Sequence, residues 1–160
     1  MDKNEILKRA IQEYSQTVLK LAYSYVQNSS DAEDIAQDVF FALLKEEKLF
    51  LTEEHLKAWL IRVTINKSKN HVKSSWFSKR NEMPENLSYM PKEYNEVLEA
   101  VFQLKEKYRL PIHLFYYEGY SIQEIAEIMK IPSATVGTRL KRGREKLRIL
   151  LGSEDGFINE

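Results

Sequence analysis

The sequence predicts an all-α chain of two small helical domains joined by a flexible linker, and three observations carry that reading. Apolar residues recur at alternating spacings of three and four through most of the chain. No segment alternates with the period of two that marks a strand. The helical periodicity fails once, between residues 74 and 91. A length of 160 residues suits one ordinary domain or two small ones.

In the first half, Ile11, Tyr14, Val18, Leu21 and Tyr25 make one stripe on a long amphipathic helix, which Asn28-Ser29-Ser30 stops. Ser30 followed by Glu33 reads as a capping box that opens a second helix to about Leu44, burying Ala32, Ile35, Ala36, Val39 and Leu43. A connector, Lys45 to Thr52, leads to a third helix from about Glu53 to Ser75, whose apolar face begins with Leu56, Trp59, Leu60 and Val63. The segment SSWFSKRNEMPENLSYMP, rich in Ser, Asn, Lys and Pro, reads as the linker. Beyond it, a helix from Tyr94 to about Lys107 carries Val97, Val101 and Leu104. A short helix from Leu110 or Pro111 ends at Gly119. Ser121 with Glu124 forms a second capping box for a helix containing Ile122, Ile125, Ala126 and Met129, and Lys130-Ile131-Pro132 turns into a last helix from about Ser133 to Leu151. The domain boundaries that follow are 1–75, a linker 76–92, 93–152, and an acidic tail 153–160.

Composition excludes several classes of function. With no Cys there is no disulfide framework, thiolate nucleophile or thiolate-bound zinc. No apolar run approaches the roughly 20 residues that span a bilayer, and the start MDKNEILKR lacks a signal-peptide core, so a cytoplasmic location is expected. His55, His71 and His113 are dispersed, and no HExxH, phosphate-binding glycine loop or nucleophile motif is present. The expectation is therefore a protein that is not an enzyme, with no metal, cofactor or small-molecule substrate.

Net charge is zero, yet the average hides a pattern. Summing Lys and Arg against Asp and Glu by segment gives −5 for residues 1–56, +7 for 57–80, −5 for 81–128, +6 for 129–148 and −3 for the tail. A phosphate backbone responds to local charge, so two basic blocks can make two DNA contacts while the acidic ones repel DNA or meet a basic protein.

The carboxy-terminal pattern of short helix, tight turn and basic helix is the layout of a helix-turn-helix. On the last helix Val136, Leu140, Gly143, Leu147 and Leu150 form the inward face. Thr135, Thr138, Arg139 and Arg142 occupy another face, suited to reading base edges, while Lys141, Arg144 and Lys146 suit phosphates. The third helix presents Arg62, Asn66, Lys69 and Lys73 on one stripe, with Lys67 and Asn70 beside it. Trp59 upstream is a candidate platform for an unpaired base, although a Trp at an apolar period more often belongs to the core. The second helix is acidic on its polar side, with Asp31, Glu33, Asp34, Gln37 and Asp38, and Phe41 nearby.

Taken together, DAEDIAQDVF at 31–40, LKAWLIRVTINKSKN at 56–70 and YSIQEIAEIMKIPSATVGTRLKRGREKL at 120–147 resemble, in the family order, the extracytoplasmic-function (ECF) group of bacterial sigma factors in the sigma-70 family. The resemblance implies a region 2 helical bundle and a region 4 helix-turn-helix that bind core RNA polymerase, at the beta-prime clamp helices and the beta flap. It implies that the chain directs the enzyme to promoter DNA in a stress or envelope response. By the same resemblance Asp31, Asp34, Gln37, Asp38 and Phe41 dock on polymerase. Trp59, Arg62, Asn66, Lys67, Lys69, Asn70 and Lys73 serve the minus 10 element, and the connector from Glu46 to Thr52, with Phe50 in it, captures a flipped base. Thr135, Thr138, Arg139, Lys141, Arg142 and Arg144 serve the minus 35 element. An anti-sigma factor, often membrane-anchored, is the implied regulator. One departure is Gly137, where many relatives carry Lys or Arg; glycine costs about 1 kcal/mol inside a helix, and a close approach of DNA would compensate. A repressor or activator binding duplex operator as a dimer is the alternative reading, and the acidic second helix and second basic region favour the sigma factor.

Overall fold

The computed structural model describes the backbone of residues 2–74 and 96–152, and the side chains of all of these except residues 73 and 74. The linker 76–92 and the acidic tail 153–160 lie outside the described residues. The chain divides into two compact units, residues 1–91 and 92–160. All regular structure among the described residues is helical.

The first unit is three helices. α1 spans Lys3–Val26, α2 Ser29–Lys45 and α3 Glu53–Ser74. Asp2 caps α1 in a reciprocal capping box with Glu5, and Gln27 ends it in a left-handed turn at φ 53°. The cap of α2 is Asn28 rather than Ser30: its side-chain oxygen accepts from the Asp31 N–H at 2.9 Å, and the helix starts one residue before Ser30. Asn in extended backbone satisfies an orphan donor as well as Ser does, so the residue nearer the end of α1 takes the position. Thr52 caps α3, accepting from the His55 N–H at 3.0 Å.

The core is built around α2. Ala32, Ile35, Ala36, Val39 and Leu43, the five positions expected from the sequence, are all buried, with Phe40 beside them. They close on Ala10, Val18 and Ala22 of α1 and on Leu56 and Leu60 of α3. Alanines at these crossings let the helices approach closely. Two expectations shift. Ile11 is 40% exposed because the α1 contact runs through Ala10, leaving Ile11 at the rim of an apolar groove shared with Leu7, Phe41 and Leu44. On α3 the inward face is Leu56, Leu60, Ile61 and Ile65, with Trp59 and Val63 only partly covered.

The second unit contains α4 (Glu96–Gln103), α5 (Glu106–Ile112), a π-helical turn (His113–Tyr117), α6 (Ile122–Met129) and α7 (Ser133–Leu151). The helix expected to run to Lys107 breaks at Leu104, where Lys105 is extended and opens α5. Arg109, itself buried, donates through Nη1 to the Leu104 carbonyl that the break would otherwise orphan. Pro111 accordingly lies inside α5 rather than at its start. After it the ladder widens, the Glu118 N–H reaching the His113 carbonyl at 3.2 Å, and Gly119 at φ +76° closes the element. Val97 on α4 is only half-buried, whereas Leu98, Ala100 and Val101 are buried.

The expected capping box of Ser121 and Glu124 opens α6, and Lys130 at φ 59° turns the chain into α7. α7 packs on α4, α5 and α6. Val136, Leu140, Gly143 and Leu147 are buried as the spacing requires, but Leu150 is 45% exposed, because the buried seam ends at Leu147. At Gly143 the approach is tight: a Cβ would sit 3.0 Å from Ile112 Cγ1.

The capping assignment is testable by thermal unfolding. Asn28→Ala is expected to destabilise the first unit by about 1 kcal/mol, and Ser30→Ala to leave stability within about 0.5 kcal/mol.

Candidate nucleic-acid interface

Packing of the α7 seam decides which side chains face out. At 3.6 residues per turn, Thr138 lies opposite the buried seam, with Thr135, Arg139 and Arg142 on one flank and Lys141, Gly137 and Arg144 on the other. Thr138, Lys141 and Arg142 are exposed; Thr135 and Arg139 are half-buried. Thr135, Thr138, Arg139 and Arg142 share one shallow groove with Lys107 and Tyr108 of α5. Lys107 was not among the residues expected from sequence, since that reading placed it at the end of a continuous helix. The ammonium groups of Lys107 and Lys146 sit 5.3 and 5.4 Å from the centre of the Tyr108 ring, which holds both beside the arginines of α7. Arg144 is set apart from this cluster, its Nη1 donating to the Tyr116 hydroxyl at 3.4 Å.

Gly137 is glycine for no internal reason. A Cβ there would meet nothing within 4 Å, and its backbone is not left-handed.

On α3, Asn66, Lys69 and Asn70 are exposed and Arg62 is half-buried on the same stripe. The side chain of Lys73 lies outside the described residues. Lys67 turns toward α2, lining a shallow depression with Asp38, Phe41 and Glu46. Trp59 is half-buried, packed on the core and met edge-to-face by Phe50 at 5.6 Å. Phe50 is therefore turned inward, also contacting the His55 ring at 5.3 Å, while its neighbours Leu49 and Leu51 are 75% and 83% exposed.

On α2, Asp34, Gln37, Asp38 and Phe41 line up on the solvent side, and Phe41 is 58% exposed. An exposed aromatic is a type of side chain that protein interfaces enrich, and the acids around it would suit a basic partner. Asp31, one turn earlier on the same helix, has its Oδ2 3.3 Å from His71 Nε2 on α3.

The connector is tied to α1. Lys3 Nζ donates to the Glu46 carbonyl at 2.6 Å, both terminal nitrogens of Arg9 bond Glu53 Oε2, and the Tyr14 hydroxyl donates to Glu53 Oε1 at 2.8 Å. Burial, then the hydrogen bond to Glu53, pushes Tyr14 from 10.0 up to about 12, so its phenol stays a donor. Among the described residues no group of His, Asp and Glu is placed to hold a metal ion, and no helix is long and apolar enough to cross a membrane.

Two family models match the chain, sigma-70 region 2 over residues 10–77 and sigma-70 region 4 over residues 90–147. The ECF RNA polymerase sigma factor SigW of Bacillus subtilis is 28% identical, the match covering 84% of this chain and 83% of that protein. The chain belongs to the ECF group of the sigma-70 family. RNA polymerase sigma factor SigV of the same organism is 29% identical over 94% of this sigma factor and 93% of its own length. In fold, the sigma factor is similar to RpoE of Bartonella quintana, solved in complex with the anti-sigma factor NepR, at a TM-score of 0.72 and 21% identity, covering 92% of this chain and 98% of that one. The interface of α7 falls inside the region 4 match, and α2, the connector and α3 fall inside region 2. Members of this family are transcription initiation factors rather than enzymes.

Two outcomes follow for this sigma factor. Gly137→Ala is expected to stabilise α7 by about 0.5–1 kcal/mol, read as a raised unfolding midpoint, because it gains helix propensity in open space. For Tyr14, a pKa raised in the folded state means that its contribution to stability is complete below pH 10 and is lost as pH rises through about 12. Denaturation of wild type and Tyr14→Phe across that interval is expected to show the extra loss only in wild type.

Proposed function

We propose that this chain, as an ECF sigma factor, binds core RNA polymerase through α2 and directs it to promoters by two separate DNA contacts. α3 and the connector serve the opened minus 10 element, and α7 serves the minus 35 element as duplex. The observation that carries the proposal is the pairing of an exposed acidic and aromatic stripe on α2 with two basic faces, one in each unit. A dimeric repressor has no use for the first of these.

In this reading Asp34, Gln37, Asp38 and Phe41 meet polymerase. Asn66 and Asn70 reach bases, since an amide can pair with a base edge, and Arg62, Lys67, Lys69 and Lys73 neutralise phosphates. Trp59 acts from beneath, as packing for Phe50, and Asp31 by holding His71. On α7, Thr135, Thr138, Arg139 and Arg142 read the minus 35 duplex, with Lys107, Lys141 and Lys146 on the backbone; Arg144 steadies the flank through Tyr116. Open space at Gly137 leaves room for DNA to approach. The chain acts in the cytoplasm, where polymerase is. The anti-sigma factor in the complex with RpoE of Bartonella quintana supports a regulator of the same kind here, covering the docking and DNA faces until it is released.

Run-off transcription with purified core polymerase and the promoter region upstream of the protein's own gene tests the reading. A defined transcript is expected only with the protein present, abolished by Asp38→Arg. Arg142→Ala should weaken it by about 5- to 150-fold, the range set by one bidentate base contact of about 1–3 kcal/mol. No transcript, together with tight dimeric binding to duplex DNA without polymerase, would establish the repressor instead.

A further inference from the structure

The connector between α2 and α3 is seven residues long, 46–52, without helix or strand of its own, yet it is held at three points. Its first residue is fixed through the Glu46 carbonyl by Lys3 of α1. Its middle is fixed by Phe50, which sits between the rings of His55 and Trp59. Its end is fixed at Glu53, the first residue of α3, where Arg9 takes one carboxylate oxygen and Tyr14 the other. Phe50 packs on the core, while Leu49 and Leu51 on either side of it stay 75% and 83% exposed. Both are among the most exposed large apolar side chains of the described residues.

We propose that Lys3, Arg9 and Tyr14 are positioning residues for this connector, holding it so that Leu49 and Leu51 present an apolar edge to an unstacked base of the opened strand. The proposal rests on the reading of the connector as part of the minus 10 contact. Stability alone does not account for the Arg9–Glu53 pair. Both side chains are close to half-exposed, and ion pairs so exposed add little to folding. Such a pair nevertheless fixes geometry when both carboxylate oxygens are engaged, and here they are engaged at the residue where the connector ends. Arg9 also neutralises a carboxylate that would otherwise face a phosphate strand passing the start of α3. A base gains from stacking or apolar contact only if the receiving side chains are already in place, because ordering a free loop on binding would consume that gain.

The test is a charge-swap cycle in the full-length protein with core polymerase: Arg9→Glu, Glu53→Arg, both together, and Tyr14→Phe, beside a connector variant carrying Leu49→Ser and Leu51→Ser. Readouts are the unfolding midpoint, affinity for core polymerase, and the ratio of transcription from the cognate promoter to that from promoters with each minus 10 base replaced. The single charge variants are expected to lose about tenfold in discrimination at one minus 10 position, with midpoint and core affinity little changed. The double swap should recover it, and Tyr14→Phe should lose a smaller share. Unchanged discrimination in Arg9→Glu and Tyr14→Phe, with discrimination lost in the connector variant, would overturn the positioning role and leave the connector's role intact. Unchanged discrimination in the connector variant overturns both. A midpoint or core affinity that falls in the single variants together with discrimination would show the pair to be structural and also defeat the proposal.

Discussion

Everything that the first unit displays depends on the burial of one seam of α2. Ala32, Ile35, Ala36, Val39 and Leu43 are closed between α1 and α3, and in a helix of 3.6 residues per turn that closure leaves a single outward stripe. Asp34, Gln37, Asp38 and Phe41 are that stripe. The same contact fixes where α2 ends and where α3 begins, so the connector spans a set distance rather than wandering. The basic side of α3 then faces out because Leu56, Leu60, Ile61 and Ile65 face in. The surfaces proposed to dock polymerase and to read the opened strand are thus two consequences of one packing arrangement. A substitution in the seam would disturb both, whereas one on either outer stripe disturbs only its own.

The second unit repeats the logic with less margin. Gly143 brings α7 against Ile112, and Val136, Leu140 and Leu147 complete a seam that leaves Thr138 at the outward pole. The break at Leu104 is what allows α5 to deliver Lys107 and Tyr108 to the edge of α7, and the Arg109 guanidinium on the freed carbonyl makes that break tolerable. A buried arginine thereby shapes a proposed DNA face from outside it.

The parts of this arrangement that are periodic were legible in the sequence, because a 3.6-residue repeat is local information. The α2 seam, most of the α7 seam, the second capping box and the helix-turn-helix followed from spacing alone. What spacing could not reveal is competition among neighbours and contacts between distant residues. Asn28 displaced Ser30 as the cap because both chemistries serve and α1 ends where it does. The expected helix through Lys107 breaks at Leu104, and the carbonyl freed there is taken by Arg109, a side-chain bond that no propensity encodes. Phe50 was placed in the connector correctly, but its inward turn depends on Trp59 and His55. Arg9 and Glu53 are 44 positions apart, and nothing in either segment signals the other. Lys107, which shares a groove with Thr135 and the arginines of α7, was missed for the same reason, and the contact of Arg144 with Tyr116 was not legible either.

In the proposed function, the segregation of charge accounts for the need for polymerase. Each basic block carries a net +6 or +7, flanked by acidic segments, in a chain whose total is zero. Affinity for DNA scales with the phosphates neutralised and falls steeply with salt, and two small contacts on separate units each lie at the weak end of that scale. Joined in one chain and held on a large partner, they act at high effective concentration on one promoter, so affinities too low to occupy DNA separately become sufficient together. In the proposed function the acidic stripe of α2 is the counterpart of this weakness, since it would repel DNA in the free protein and meet polymerase in the complex. Net neutrality would then be part of the proposed mechanism: a uniformly basic chain would bind DNA of any sequence without polymerase, and promoter choice would be lost.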